Sequence, residues 1–210
     1  MSSNQQAMTN IISDRINNMA VSATLAMAAK ARELKENGVD IIGLSLGEPD
    51  FNTPDFIKKA AIQAINDNYN SYTPVDGYGE LKKSICNKFK RDNDLDYESN
   101  QVVVSTGAKQ SIANAIQVLI NPGDDVLLVA PYWVSYSAIV TLAEGNSIEI
   151  RSDISSDFKI TPLQLENAIT KRTKLVVINS PNNPSGSVYT EKEYLGLAKV
   201  LVKYPEIYIL

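Results

Sequence analysis

DVLLVA, the run Asp125–Ala130, is apolar from its second residue onward, and it is followed by the helical segment VSYSAIVTLA (134–143) and by the short run SIEI (147–150). A strand with one solvated face alternates apolar and polar residues, whereas a strand buried on both faces does not. Strands of the second kind, separated by helices, are typical of a parallel sheet. This part of the chain therefore predicts an α/β fold.

The same alternation extends outward in both directions. Strands are predicted at 102–104, 175–178 and 207–210, and helices at 107–120, 163–169 and 191–202. Nearer the start of the chain, helices are predicted at 22–37, 55–67 and 80–91. We expect an α/β protein with a mostly parallel sheet covered by helices on both faces, preceded by an N-terminal helical segment.

Composition limits the classes of function. The 210 residues carry a net charge of -4 with both signs interspersed, so no basic stripe indicates a nucleic-acid partner or a membrane surface. No segment approaches the roughly 18 apolar residues of a membrane span. Cys86 is the only cysteine, which excludes a disulfide within the chain and favours a reducing compartment, so we expect a cytoplasmic protein.

The sequence contains no histidine. Catalytic arrangements of the Ser-His-Asp and Cys-His types, and metal sites built on histidine, are therefore excluded within this chain. No GxGxxG opens a predicted strand-helix unit, which disfavours a nicotinamide-dependent dehydrogenase.

Three loops follow predicted strands, where ligands bind in open α/β sheets. The first, STGAKQ (105–110), leads into a helix whose N-terminal amides, together with Lys109, could hold a phosphate. An ordinary strand-to-helix turn with glycine at its sharpest point is the alternative, because the loop matches no established phosphate motif.

The other two loops carry flat and amide-bearing side chains. In APYWV (130–134), Trp133 follows a strand and could stack on a planar ring, although simple packing would explain it as well. In NSPNNPSG (179–186), two neighbouring carboxamides could bind a phenolate or carboxylate oxygen, and a plain Asn/Pro turn is the alternative.

Taken together and in this order, the motifs resemble the class I/II pyridoxal-phosphate-dependent aminotransferases of fold type I, in particular the aspartate aminotransferase branch. The resemblance extends from about residue 22 to the end of the chain. Its motifs are SLGEPDFNTP (45–54), YTPVDG (72–77), STGAKQ (105–110), PGDDV (122–126), PYWVSY (131–136) and NSPNNPSG (179–186).

The resemblance implies a role for each matching position around pyridoxal 5'-phosphate. The backbone of Gly107 and Ala108, with Lys109 beside it, would receive the phosphate. Trp133 would stack on the pyridine ring, and Asn183 would hydrogen-bond the ring's 3-oxygen.

Substrate and partner roles are implied in the same way. Gly47 would offer its amide to the substrate carboxylate, which Asn183 also touches beside Trp133, and Lys109 could face a distal carboxylate instead of the phosphate or lie in solvent. Tyr72 would reach the phosphate of a neighbouring subunit's cofactor, which implies a homodimer with shared active sites.

For the whole molecule, the resemblance implies transfer of an amino group between an amino acid, aspartate by the branch, and a 2-oxo acid such as 2-oxoglutarate. Residues 1–50 would belong to a small domain and 51–210 to the first part of the large, cofactor-binding domain. The chain ends on an apolar run and looks truncated; the Schiff-base lysine, the acid at the pyridinium nitrogen and the carboxylate-binding arginine are expected beyond Leu210. This chain alone is therefore expected to be inactive.

Two alternatives remain at this point. The same loops could serve another fold-type I enzyme, with a different aminotransferase specificity or a β-decarboxylase activity. The chain could also be a non-catalytic fragment that only binds the cofactor.

Overall fold

The computed structural model describes residues 11–20, 23–44, 47 and 49–210, which fall into two compact units. The sheet unit contains the described residues up to 20 together with 107–210, and the helical unit contains those between 23 and 106. The assignment of 1–50 to a small domain and 51–210 to a large domain stays a prediction.

The sheet unit is built on four parallel strands. They are β1 (Asp125–Ala130), β2 (Asn146–Arg151), β3 (Thr173–Val177) and β4 (Tyr208–Ile209), and their order across the sheet is β2-β1-β3-β4. Each neighbouring pair is parallel, with Leu128 of β1 opposite Val177 of β3. The prediction of a parallel α/β sheet is confirmed.

Helices form the rest of both units, and those of the sheet unit connect and cover the strands. Along the chain they are α1 (Asp14–Asn17), α2 (Ala23–Glu36), α3 (Asp55–Asn66), α4 (Gly79–Asn93), α5 (Ala108–Leu119), α6 (Ser135–Leu142), α7 (Pro162–Ala168) and α8 (Glu191–Leu201), with 3-10 turns at Ser99–Gln101 and Ile154–Ser156. Every predicted helix is present, with ends shifted by at most two residues, and the N-terminal helical segment is confirmed. The short helix α1 has no counterpart among the predictions.

The sheet has an apolar core on each face because successive residues of a strand point to opposite sides. Leu127 and Val176 pack with one cluster that includes side chains of α7 and α8, namely Leu165, Leu197, Val200 and Leu201. Val126 and Leu175 pack with the other, which includes side chains of α5 and α6, namely Ile116, Ile139 and Val140. Burial on both faces explains why β1 and β3 lack polar alternation.

One predicted strand is absent from the sheet. Residues 102–104 are not paired as a strand; Val102 is buried and extended, but the amide of Val104 donates to the carbonyl oxygen of Asp76 at 3.0 Å. A strand requires a neighbouring strand as its hydrogen-bond partner, and this segment bonds to an isolated loop carbonyl instead. The expectation that the loop 105–110 follows a strand is therefore wrong.

The helical unit fixes the turn at 72–79 through two contacts. Lys82 on α4 is buried and forms an ion pair with Asp76 that lowers the pKa of this carboxyl. Gly77 has a φ of +102°, and a Cβ built there would lie 2.7 Å from Cγ2 of Val104, so only glycine fits without displacement.

Among the helices of the described residues, none combines the length and apolar character needed to cross a membrane.

Candidate cofactor site at the carboxyl ends of the strands

The sheet topology creates a crevice between the ends of β1 and β3. These strands are neighbours, yet β1 connects through α6 to β2 on one side, whereas β3 connects through α8 to β4 on the other. Loops that leave two adjacent strands in opposite directions leave a gap, and this is where open α/β sheets bind ligands. The loops 131–134 and 179–186 flank that gap.

The N-terminus of α5 carries donors for an anion. Gly107 is the N-cap residue, with φ 84° and ψ 159°, and as a glycine it forms no side-chain cap of its own. The first amides of a helix have no partner within it, and they carry the positive end of its dipole. A Cβ built on Gly107 meets no atom within 4 Å, so the space beside this turn is open. The turn therefore has the donors and the room that a phosphate requires.

Lys109, in the first turn of α5, contacts the loop that follows β1. Its Nζ atom lies over the ring of Trp133, 4.9 Å from the centroid. Trp133 is half-buried, and its ring meets that of Tyr136 edge-on, with centroids 5.6 Å apart and planes at 87°. The indole is thus supported by a second aromatic ring on α6, while a cation from α5 lies over it.

The loop after β3 contacts the loop after β1 through an amide side chain. Asn182 donates from Nδ2 to the carbonyl oxygen of Pro131 at 3.0 Å and to Oγ of Ser185 at 2.8 Å. Asn183 is exposed, and its backbone amide donates to Oδ1 of Asn179 at 2.8 Å. All three loops are consequently connected: α5 to the Trp133 loop by Lys109, and the Trp133 loop to the Asn183 loop by Asn182.

Tyrosines lie beneath these loops in their neutral form. Burial raises the pKa of Tyr132 and of Tyr136, and Tyr132 also donates to Oε1 of Glu149 at 2.9 Å, which raises its pKa further. Both rings line a small cavity, together with Asn182 and Tyr189. With raised pKa values, these phenols serve as hydrogen-bond donors and packing groups rather than as bases at neutral pH.

The predicted site residues fall into two groups. The sheet unit contains Gly107, Ala108, Lys109, Trp133 and Asn183. The helical unit contains Gly47 and Tyr72, both exposed, the latter completely. Of the predicted motif at 45–54, residues 45, 46 and 48 lie outside the described residues.

The roles of two further residues of the site are not predicted from the sequence. The sequence shows Asn182 only as one of a pair of amides, and its bond to Pro131 joins positions 51 residues apart, which no local pattern reveals. Tyr136, on the next helix, contacts the ring of Trp133. The two aromatic residues are three positions apart at the start of a helix, and this spacing is the sequence signal that indicates their contact.

Comparison with known proteins agrees with this arrangement. The family model described as aminotransferase class I and II matches residues 39–210, a span that contains all three loops. The chain belongs to this family.

Particular relatives are similar over nearly the whole chain. The aspartate/prephenate aminotransferase of Nitrosomonas europaea is 51% identical over 198 residues, 94% of this chain and 50% of the relative. That of Cereibacter sphaeroides is 49% identical over 199 residues, 95% of this chain and 50% of the relative. The chain thus spans about half the length of the curated relatives it matches.

Solved structures give the same result. The aspartate aminotransferase of Rhizobium meliloti matches 94% of this chain with a TM-score of 0.90 and 44% identity, and the chain covers 50% of it. The Thermus thermophilus aspartate aminotransferase with maleate matches 94% of this chain with a TM-score of 0.90 and 40% identity, and 52% of it is covered.

The residues of the crevice fit the cofactor that this family implies. A helix N-terminus with an adjacent lysine suits a phosphate, and a half-buried indole suits a pyridine ring. An exposed carboxamide at Asn183 suits a ring oxygen. These groups therefore suit the phosphate, the ring and the ring oxygen of pyridoxal 5'-phosphate in chemical type.

Proposed function

We propose that this chain forms part of a pyridoxal-phosphate-dependent aminotransferase that moves an amino group between aspartate and a 2-oxo acid such as 2-oxoglutarate. The observation that carries the proposal is the 51% identity with the aspartate/prephenate aminotransferase of N. europaea over 94% of this chain. The connected loops lie at the switch point, the crevice between the ends of β1 and β3 where the chain connections leave in opposite directions. They support the proposal physically because they join an anion site, an aromatic ring and a carboxamide.

Each loop has one task toward the cofactor. The amides of Gly107 and Ala108 hold the phosphate, and Lys109 lies beside them. Trp133 stacks on the ring and excludes water from one face. Asn183 donates a hydrogen bond to the ring's 3-oxygen, which fixes the ring's rotation in the crevice.

The cofactor supplies the electron sink for removing the α-proton of an amino acid. This chain contributes binding and orientation. In this proposal the lysine that forms the Schiff base, the acid at the ring nitrogen and the arginine for the α-carboxylate belong to the half of the relatives that this chain does not cover.

The substrate is a dicarboxylate on this proposal. By the family resemblance, Gly47 would donate its amide to the α-carboxylate, and Asn183 would contact the same carboxylate. Lys109 offers its charge either to the phosphate or to the distal carboxylate. The T. thermophilus structure with maleate, itself a dicarboxylate, and the relatives named for aspartate and prephenate favour this class.

The assembly is a homodimer in the cytoplasm. Tyr72, which is fully exposed within the helical unit, would reach the phosphate in the partner's site, so that each active site draws on both subunits. Residues 1–50 form part of a small domain, and 51–210 form the first part of the large one.

The test is a fusion of this chain to the second half of the N. europaea relative. We expect the fusion to convert aspartate to oxaloacetate and 2-oxoglutarate to glutamate in separate half-reactions, with the parallel double-reciprocal lines of a ping-pong mechanism. The unfused 210-residue chain should show neither half-reaction. A fusion that folds and binds the cofactor but transfers no amino group would contradict the proposal.

The same fusion separates the alternatives. A β-decarboxylase would release carbon dioxide and alanine from aspartate without a 2-oxo acid, whereas an aminotransferase would yield oxaloacetate. A purely cofactor-binding fragment would give thermal stabilisation by pyridoxal phosphate in the absence of any turnover.

A further inference from the structure

Asn182 is the residue through which the two loops at the switch point are joined. Its Nδ2 atom has two hydrogens, and these are used on the carbonyl oxygen of Pro131 at 3.0 Å and on Oγ of Ser185 at 2.8 Å. The first bond crosses between the loops, and the second stays within one loop. A single side chain thus shapes its own loop and attaches it to the neighbouring one.

The backbone around Asn182 closes into a tight turn. Its amide donates to the carbonyl oxygen of Ser187 at 2.9 Å, and its carbonyl oxygen accepts from the amide of Gly186 at 2.8 Å. The next residue, Asn183, is anchored through its amide to the side chain of Asn179. Because the turn is closed on itself, a displacement of Asn182 moves Asn183 with it.

The sheet itself does not hold these loops together. The pairing of β1 with β3 extends to Leu128 and Val177, and both loops begin beyond that point. Within the described residues, the bond from Asn182 to Pro131 is the hydrogen bond that joins the loop 131–134 to the loop 179–187. Pro131 lies two residues before Trp133, so this bond sets where the indole lies relative to Asn183.

We infer that Asn182 is a positioning residue that fixes the spacing between Trp133 and Asn183, an inference that rests on the proposed cofactor site. Asn182 is half-buried and supports the ring-binding groups without being assigned to the ring itself. Binding groups must be held to within about 0.5 Å to act together on one ligand. Loss of the cross-loop bond would let the two groups drift apart, even though each side chain remains present.

A purely structural role makes a different prediction. If Asn182 only stabilises its own turn, its replacement would lower the melting temperature without altering the affinity of the folded protein for the cofactor. Measurements of cofactor affinity well below the melting temperature therefore distinguish a positioning role of Asn182 from a purely structural one.

The experiment uses the sole tryptophan of the chain, Trp133, as its reporter. The probe is pyridoxamine 5'-phosphate, which lacks a carbonyl group and so forms no Schiff base with lysine. Quenching of Trp133 fluorescence gives the dissociation constant and the amplitude at saturation, and acrylamide quenching without the probe reports how firmly the Trp133 loop is held.

Four variants separate the contacts. Asn182→Ala removes both bonds, and Asn182→Asp keeps the size but replaces the donor by an acceptor that faces the Pro131 carbonyl. Ser185→Ala removes two bonds within the loop, from Nδ2 of Asn182 at 2.8 Å and from the amide of Ser187 at 3.3 Å, and leaves the bond to Pro131. Asn167→Ala changes an exposed asparagine on α7 and serves as the matched control.

We expect Asn182→Ala and Asn182→Asp each to weaken probe binding about tenfold, because a carbonyl loses its partner. Both should also change the saturating amplitude and increase acrylamide quenching. Ser185→Ala should weaken binding less than about threefold, since the cross-loop bond remains. Asn167→Ala should match the unmodified chain.

Unchanged affinity and amplitude in both Asn182 variants would overturn the inference while leaving the proposed function intact. Absence of probe binding by the unmodified chain would also overturn it, and the proposed function would then be judged by the fusion's activity. An Asn182→Ala protein that fails to fold leaves the decision to Asn182→Asp and to the comparison with Ser185→Ala.

Discussion

The ammonium group of Lys109 lies over the ring of Trp133, with Nζ 4.9 Å from the ring centroid, and this contact connects the N-terminus of α5 to the loop after β1. A cation over an indole at an exposed site contributes about 0.5–1 kcal/mol. Hydrogen bonds from a lysine to a carboxylate or phosphate are stronger than this. The lysine is therefore held near the ring and remains able to turn toward an anion.

Replacement of Lys109 by methionine keeps the length of the side chain and removes its charge. We expect about a tenfold loss of affinity for either the cofactor phosphate or the distal carboxylate of the substrate, because a charge-assisted hydrogen bond to that anion is lost. In the fusion, a weaker affinity for pyridoxamine 5'-phosphate would assign Lys109 to the phosphate. A higher KM for aspartate, with no change for alanine, would assign it to the distal carboxylate.

The control for this charge is Lys199→Met, which removes an exposed lysine from α8. Lys199→Met should alter neither the affinity for pyridoxamine 5'-phosphate nor the KM for aspartate. If Lys109→Met also leaves both values unchanged, Lys109 has no part in the site.

Gly107→Ala should destabilise the sheet unit and weaken phosphate binding. The backbone of Gly107 has φ 84° and ψ 159°, a conformation that side-chain-bearing residues avoid at a cost of about 1–3 kcal/mol. No atom would clash with the new methyl group, so the effect isolates backbone strain. Thermal unfolding and inorganic phosphate titration measure the two consequences.

Gly43→Ala is the matched control for this substitution, because Gly43 also has open space around it and does not need a positive φ. It should have a melting temperature near that of the unmodified chain. Equal stability of the two variants would argue against strain at Gly107.

Glu193→Gln should reduce stability at neutral pH but not in strong acid. Glu193 accepts hydrogen bonds from Nζ of Lys159 at 2.9 Å and from the amide of Thr190 at 2.6 Å, and these lower its pKa from 4.5 to about 2. Because the folded-state pKa is depressed, the ionised group stabilises the fold above pH 4.5, and this contribution is lost as the pH falls toward about 2. The difference in melting temperature between the two proteins should shrink over that range.

Glu191 provides the control, since it lies in the same first turn of α8. Glu191→Gln should leave the acid dependence of the melting temperature as it is in the unmodified chain. A pH-independent difference for Glu193→Gln would mean that the ion pair with Lys159 does not form in solution.

Asp125→Asn should weaken the amino end of the sheet. Asp125 is fully buried and accepts hydrogen bonds from Oγ1 of Thr170 at 2.7 Å, Nδ2 of Asn146 at 3.2 Å and Nε of Arg172 at 3.4 Å. Burial alone would raise the pKa of Asp125, but these donors outweigh it and hold the pKa below 3.8. Loss of the charge should cost about 2 kcal/mol at neutral pH, as for other hydrogen bonds to a charged group.

The pH dependence has the same sign as for Glu193. Stability contributed by ionised Asp125 is complete above its unfolded pKa of 3.8 and is lost as the pH falls through the lower folded value. Denaturant unfolding at a series of pH values should show the two proteins converging in acid. Asp40→Asn, at an exposed position, should show no such convergence.

Much of this architecture could be predicted because it depends on local patterns. The apolar run of β1 and the glycine before α5 are read directly from neighbouring residues, and both are where the sequence places them. The segment at 102–104 misled the prediction because three β-branched residues favour a strand but cannot supply its partner. The amide of Val104 donates to the carbonyl oxygen of Asp76 instead, and this contact depends on how a distant part of the chain folds.

The sequence by itself determined the four strands of the sheet, the helices other than α1, and which loops carry the lysine, the indole and the amides. Only the tertiary structure decided the order β2-β1-β3-β4, which makes β1 and β3 neighbours with connections that leave in opposite directions. It also decided that Asn182 reaches Pro131 and that Lys109 reaches Trp133. The physical reason is the distance along the chain over which each feature is decided. Helix and strand signals arise from hydrophobic periodicity over a few residues, whereas strand order and loop contacts depend on packing that buries both faces of the sheet.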